Sequence, residues 1–231
     1  MTISSKPSRA RRARTALGLD DPRLMGVLTL LWSTTVVYII LHLSRRFIGV
    51  PWSPYFDLGM ERGYGEVFFQ MLTGWSAIML VLVAVRTRAW VLLVWATFSL
   101  YLLTDDYFTL HERIGTWYAL NGPYVGRLTT HLGEALWLAF IGVLLIVSLV
   151  IAYRFASARD RRITLILAAL FGGLAFFGVA IDILHSPFID MPVIDPLFIA
   201  LEDGGEIAVM SLIVVYAVSL AFPREDEPTR P

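Results

Sequence analysis

Residues 135–153 read Ala-Leu-Trp-Leu-Ala-Phe-Ile-Gly-Val-Leu-Leu-Ile-Val-Ser-Leu-Val-Ile-Ala-Tyr, a run without a single charge that is entered from Glu134 and left at Arg154. About 20 apolar residues in a helix cross the roughly 30 Å hydrocarbon core of a bilayer. Lipid offers the backbone no water, so a helix, which satisfies its own N–H and C=O groups, is the form such a run takes. Extended to about 127–153, this run is one of six that reach spanning length, the others lying at about 25–46, 66–86, 89–112, 163–185 and 197–222. The 231-residue chain is 57% hydrophobic, above the roughly 45–50% of soluble domains. These features predict an all-α fold, a bundle of six transmembrane helices arranged as three hairpins.

The ends are of different composition. Residues 1–22 carry Lys6, Arg9, Arg11, Arg12 and Arg14 with Pro7 and several serines, too few apolar side chains to fold alone, and read as a disordered basic tail. The transmembrane domain is expected over 23–222, with a second short tail at 223–231. The first apolar run is too long for a signal-peptide core and is followed by Arg45 and Arg46, so it is expected to be retained. Placing the first tail in the cytoplasm puts fourteen basic residues inside against five outside (Arg45, Arg46, Arg62, Arg113, Arg127). The positive-inside rule then predicts both termini in the cytoplasm of a bacterial inner (plasma) membrane. Thirteen of the nineteen acidic residues fall on the other, periplasmic or external side, and a functional site is expected there. Membrane lipids are expected partners and nucleic acid is not.

Charge inside an apolar span is costly and marks a site or a pathway. On the third run, Asp105 and Glu112 are seven residues apart, which puts them on one face of a continuous helix, with His111 beside Glu112. The fourth run offers His131-Leu-Gly-Glu134 and the fifth Asp182-Ile-Leu-His185, i,i+3 pairs whose side chains can converge on one ion. The sixth offers Glu202 and Glu206 at i,i+4 with Asp203 between. Four-helix di-metal carboxylate sites combine carboxylates and carboxylate-x-x-histidine pairs in this way. Asp105, His111, Glu112, His131, Glu134, Asp182, His185, Glu202 and Glu206 are therefore candidate ligands for one or two divalent transition metals, Zn, Fe or Mn. Asp106 and Asp203 are candidate catalytic groups, able to orient a histidine or move a proton.

Nine carboxylates lie within or beside spans, and five arginines share their side of the membrane. The surplus must be protonated, solvated or bound to cations. His42 and Glu66, near the ends of the first two spans, read as interfacial side chains that snorkel to the headgroups. In each expected hairpin the outgoing helix carries a histidine (His42, His111, His185) and the returning one a carboxylate (Glu66, Glu134, Glu202), as triplication of one hairpin would produce. Gly172, Gly173 and Gly178 read as sites of close helix packing.

Several chemistries are excluded. There is no cysteine, so disulfides, thiolate metal sites and cysteine nucleophiles are absent. His111-Glu112 begins like H-E-x-x-H, but position 115 is Gly, and no G-x-S-x-G or phosphate-binding loop is present.

Phe56-Asp57-Leu58 with Glu61, Asp105-Asp106 with Leu110-His111-Glu112-Arg113, and Leu201-Glu202-Asp203-Gly204-Gly205-Glu206 resemble the acidic and His-Glu signatures of uncharacterised multi-pass bacterial membrane proteins. Such proteins more often show Asp-Glu at the first pair and Glu-Glu at the last, so Asp106 and Asp203 depart from the pattern. The resemblance implies a multi-pass membrane protein and carries no activity with it. From the residues, the leading expectation is a metal-dependent enzyme acting on a lipid-like or small apolar substrate. A proton- or cation-coupled transporter, or an assembly or sensing component stabilised by metal, would use the same residue types.

Overall fold

The computed structural model describes residues 8–123 and 129–222 and, among them, is helical with no strand. Six helices are long and apolar enough to cross a membrane: α2 (Pro22–Ile48), α3 (Tyr64–Thr87), α4 (Trp90–Phe108), α6 (Thr129–Arg154, apolar from Leu132), α7 (Ala158–Ala175, running on to Phe188) and α9 (Ile194–Ala221). Shorter helices among the described residues include α1 (Arg9–Ala16), α5 (Leu110–Asn121) and α8 (Asp182–His185), the last lying within the span that α7 begins. The apolar side chains point outward to a degree no soluble fold tolerates: Leu30 is 70%, Val85 68% and Leu165 62% exposed, and no residue in the most apolar stretch of α6 is buried. Faces of this kind need lipid around them. The protein is a multi-pass helical membrane protein.

Two departures from the sequence reading bear on function. The third span does not continue to Glu112. It ends at Phe108, where Thr109 takes a left-handed conformation (φ 48°) and its N–H caps the carbonyls of Asp105 and Asp106. A new helix, α5, starts at Leu110 with Glu112 in its first turn, so Asp105 and Glu112 do not share a helix face. Within the basic tail, expected to be without structure, residues Arg9–Ala16 form α1. Its continuation packs Leu19 against Leu28 of α2 and Val215 of α9. Residues 1–7 and 223–231 lie outside the described residues.

The chain divides into two compact units, 1–72 with 166–231, and 73–165. In the first, α2 packs on α9 in antiparallel fashion. Leu28 near the start of α2 meets Val215 near the end of α9, and His42 near the end of α2 reaches Pro196 in the first turn of α9. In the second, α6 packs on α5 and α4. The α5–α6 crossing is set by glycine: a Cβ on Gly133 would lie 2.9 Å from the Gly115 Cα, so the two backbones meet where neither has a side chain. On α7 the expected close packing is confined to Gly178, against which the Glu206 carboxylate lies, whereas Gly172 faces open space. Gly178 sits in a π-helical turn, Phe176–Ile181, a distortion that recurs at functional sites.

Candidate functional site

In the first unit, charge is gathered at the end of the α2–α9 pair remote from the termini. His42 and Arg46 are one turn apart on α2, whose last turn is capped by the Gly49 N–H on the Arg45 carbonyl. The Arg45 guanidinium donates to the carbonyls of Pro51 and Trp52, which folds the following loop back along the helix. The loop delivers Asp57 to His42, with Nδ1 to Oδ1 at 3.0 Å. Asp57 Oδ2 lies 3.3 Å from Arg46 Nη1, and the other Arg46 nitrogen grips Asp195 Oδ2. Asp195 stands in the first turn of α9, where the helix dipole favours negative charge. Its Oδ1 lies 3.0 Å from His185 Nε2, and His185 Nδ1 faces Glu202 Oε2 at 3.5 Å. The result is one continuous chain of polar contacts: His42, Asp57, Arg46, Asp195, His185, Glu202.

The two histidines of this chain are used differently. The His42 ring is fully buried. Its Nε2 must donate to the Pro196 carbonyl at 3.0 Å, an oxygen that can only accept. Its Nδ1 meets both the Leu58 N–H at 3.1 Å and Asp57, accepting from the first when neutral and donating to the second when protonated. Both ring nitrogens are thus occupied by neighbours that join α2 to α9 and to the loop. The interfacial reading of His42 is corrected accordingly: a ring with two internal partners has no need of the headgroup layer. Glu66 accepts from the Arg62 backbone N–H and from Gln70 at 2.8 Å, and His42 pairs with Asp57 instead. At Asp57 burial alone would raise the pKa. The hydrogen bond from His42, the charges of His42 and Arg46 and the Gly59 N–H outweigh it and hold the carboxyl below the usual range.

His185 has one committed nitrogen and one presented nitrogen. Asp195 fixes Nε2, and the ring lies parallel to Phe198 with centroids 5.4 Å apart. Phe188 in turn stacks on Phe198, so a set of parallel rings holds the imidazole plane. Asp195, Phe198 and Glu202 follow one another on one face of α9 at i, i+3 and i+7. Asp182 is exposed while His185 is 93% buried, so the i,i+3 pair expected to share an ion is turned apart. Asp182 and Asp203 instead add negative field at Glu202. Asp203 and Glu206 are half-buried and in contact with neighbours.

The second unit repeats the chemistry with other spacings. Trp137 Nε1 on α6 donates to the Tyr101 hydroxyl on α4 at 3.0 Å, and that hydroxyl donates to Asp105 Oδ1 at 2.9 Å. Asp105 Oδ2 lies 2.7 Å from His111 Nδ1 across the break at Thr109. The far ring nitrogen, Nε2, faces Glu112 Oε1 at 4.0 Å. His111 lies outside the spans, and its pKa is raised, first by the hydrogen bond to Asp105 and then by the charges of Asp105, Glu112 and Glu134, against the opposing pull of burial. Glu134 packs its stem over Gly115. Asp106 is half-buried and engaged, and the carboxylates that hold His111 and His185 are Asp105 and Asp195. The His131 side chain and Arg127 lie outside the described residues.

The nine expected metal ligands therefore divide, with Asp182, His185, Glu202 and Glu206 in the first unit and the other five in the second. Among the described residues, no group of three or more His, Asp and Glu side chains is placed to hold a metal ion. Histidine pairs with aspartate fifteen residues later at His42, six earlier at His111 and ten later at His185, and none of the three partners is the carboxylate a repeated hairpin would supply. Asp195 escaped the sequence reading. The seven-residue spacing from Asp195 to Glu202 on α9, the rule applied to Asp105 and Glu112, was the signal that could have found it.

Residues 23–220 match a family described as a domain of unknown function, DUF8692. The chain belongs to that family. The match covers all six spans, so the His–carboxylate chains of both units lie inside the DUF8692 domain. No curated protein and no solved structure matches the chain.

Proposed function

We propose that the protein is a membrane enzyme that performs acid–base chemistry on a lipid-like or small apolar substrate, with His185 and Glu202 as the proton-handling pair. One observation carries this reading: a buried aspartate holds one nitrogen of His185 at 3.0 Å, and the other nitrogen is turned to a glutamate at 3.5 Å. Asp195, acting as acceptor, keeps the proton on Nε2 and leaves the Nδ1 lone pair available. A carboxylate behind an imidazole also stabilises the imidazolium that forms when Nδ1 takes a proton. Glu202 can then give that proton or receive it.

The hydroxyls deeper in the spans favour an enzyme over a transporter. Those of Thr35, Ser76, Ser99 and Ser211 each bond a carbonyl of their own helix, which supports chemistry at one face of the membrane in place of a relay through it. A second reading, a site for Zn, Fe or Mn, rests on the same 3.5 Å separation. Two donors at about 2.0–2.2 Å on a tetrahedral ion stand about 3.4 Å apart, and an Asp-held histidine is the usual metal ligand. Asp182, Asp203 and Glu206 would supply further charge.

With four histidines in the chain, 15N-histidine NMR in nanodiscs separates the readings, each ring assigned by its own substitution. The acid–base reading expects the proton of His185 on Nε2 and an Nδ1 resonance that Glu202→Gln shifts. Zinc should then leave the Nδ1 resonance unmoved. A shift of Nδ1 on adding zinc, lost in Glu202→Gln, would establish the metal reading, and a proton resident on Nδ1 would defeat the assignment of roles.

A further inference from the structure

A second feature of the molecule lies entirely within residues 73–165, at the other end of α4 from Asp105. There, α4 and α6 leave a groove of about 920 Å³ between them. Its walls are apolar, with Leu93, Val94 and Phe98 on α4 and Ile141, Leu144 and Leu145 on α6. From Trp90 at its mouth to Tyr101 at its far end the groove follows eleven residues of α4, about 17 Å at 1.5 Å per residue. That matches the depth of one leaflet, about 15 Å, half of the hydrocarbon core.

The mouth is of opposite character. Arg88 lines it directly. Arg86, Arg154, Arg159, Arg161 and Arg162 lie within a few residues of the other mouth-lining positions, Ala89, Phe155 and Asp160. Trp90, 73% exposed, marks the level of the headgroups. Asp160 is the acid on this rim, and its carboxylate is taken by the Ser157 hydroxyl at 2.7 Å. Arg161 is spent on the Tyr153 and Arg154 carbonyls and the Tyr153 ring. Arg88 has no ion-pair partner among the described residues and stands exposed at the turn between α3 and α4.

We propose that this groove is a binding site for an anionic phospholipid, with the phosphate on Arg88 and one acyl chain lying along α4 and α6. The terminal part of the chain reaches Tyr101, whose hydroxyl belongs to the Trp137–Tyr101–Asp105–His111 chain. Bound lipid thereby touches the residue that positions Asp105. Neither His185 nor Glu202 lines the groove.

The full-length protein, reconstituted in phosphatidylcholine vesicles containing phosphatidylglycerol, tests it through the ratio of the two lipids retained in native mass spectrometry. Wild type should retain phosphatidylglycerol several-fold above its bulk share. Arg88→Asn should lower that enrichment about fivefold, the preference one arginine confers near an anionic surface; asparagine tolerates the left-handed backbone at this position (φ 57°). Arg62→Asn, an exposed arginine of the same backbone conformation (φ 59°) in the other unit, should leave the enrichment unchanged. Ser148→Phe, at an exposed position on the groove wall, should displace the retained lipid while the protein stays folded. Retention in the bulk ratio by wild type, an equal fall in both arginine variants, or full retention in Ser148→Phe would each overturn the proposal.

Discussion

His185 and His111 stand in the same relation to their neighbours and in different surroundings. Each has one nitrogen on an aspartate and the other turned to a glutamate. The His185 side chain is 9% exposed, and its aspartate is shared with Arg46; the His111 side chain is 32% exposed, and its aspartate is shared with Tyr101. A buried aspartate between a guanidinium and an imidazole is a structural keystone as well as an orienting group. Asp105 is as deeply buried, but its partners are a neutral phenol and a ring that reaches solvent, so it orients and ties less together. The difference teaches that the first unit ties its chemistry to its stability, while the second keeps the two separable.

Removing the aspartates is the strongest way to break the comparison. Asp195→Ala leaves Arg46 and His185 facing each other without the anion between them, a loss of about 3 kcal/mol, the low end for a broken buried pair because Arg46 reaches solvent. Asp105→Ala should cost about 1–2 kcal/mol, since water can replace the partner of a part-exposed His111. Unfolding in a detergent titration measures both. Equal losses would show that the two sites are energetically alike.

The residues that were legible from sequence and those that were not differ in kind. Spans were legible because each is a long apolar run, and α2, α3 and α9 lie within a few residues of expectation. The end of α4 was not: Thr109 carries no glycine or proline signal, and the left-handed turn there is held by carbonyl acceptors that sequence does not display. Asp105, His111, His185 and Glu202 were found because charge in an apolar run stands out. Asp57, though part of a quoted signature, and Asp195 sit in or beside loops, where an aspartate does not stand out by cost, and only the fold brings them to His42, Arg46 and His185.

Packing offers a second contrast, inside the second unit alone. Gly133→Ala forces a Cβ to 2.6 Å from the Tyr118 Cβ and 2.9 Å from the Gly115 Cα, and should destabilise by about 1–3 kcal/mol as α5 is pushed off α6. Gly142→Ala, on the same helix with no atom within 4 Å of the new Cβ, should stabilise by about 0.5–1 kcal/mol. Thermal melts should move in opposite directions. If Gly133→Ala melts like wild type, α5 does not rest on α6 as described, and the support beneath Glu134 and His111 goes with it.

The smallest expected effect is the most specific to the comparison, because the two units should respond to opposite ends of the pH scale. His111 has its pKa raised in the fold by Asp105, with Glu112 and Glu134 adding to it. Its contribution is therefore complete below the unfolded value of about 6.5 and is lost as pH rises through the folded value. Asp57 has its pKa lowered by His42 and Arg46 against the cost of burial. Its contribution is complete above about 3.9 and is lost as pH falls through the folded value. Melting temperature against pH should thus decline on an alkaline limb that His111→Gln flattens and on an acid limb that Asp57→Asn flattens, each variant leaving the other limb in place. The slope is the readout, since both substitutions also lower stability uniformly by removing a hydrogen-bond partner. A His111→Gln protein that keeps the alkaline decline would show that the protonated ring contributes nothing to the second unit, and that Asp105 holds a neutral imidazole there.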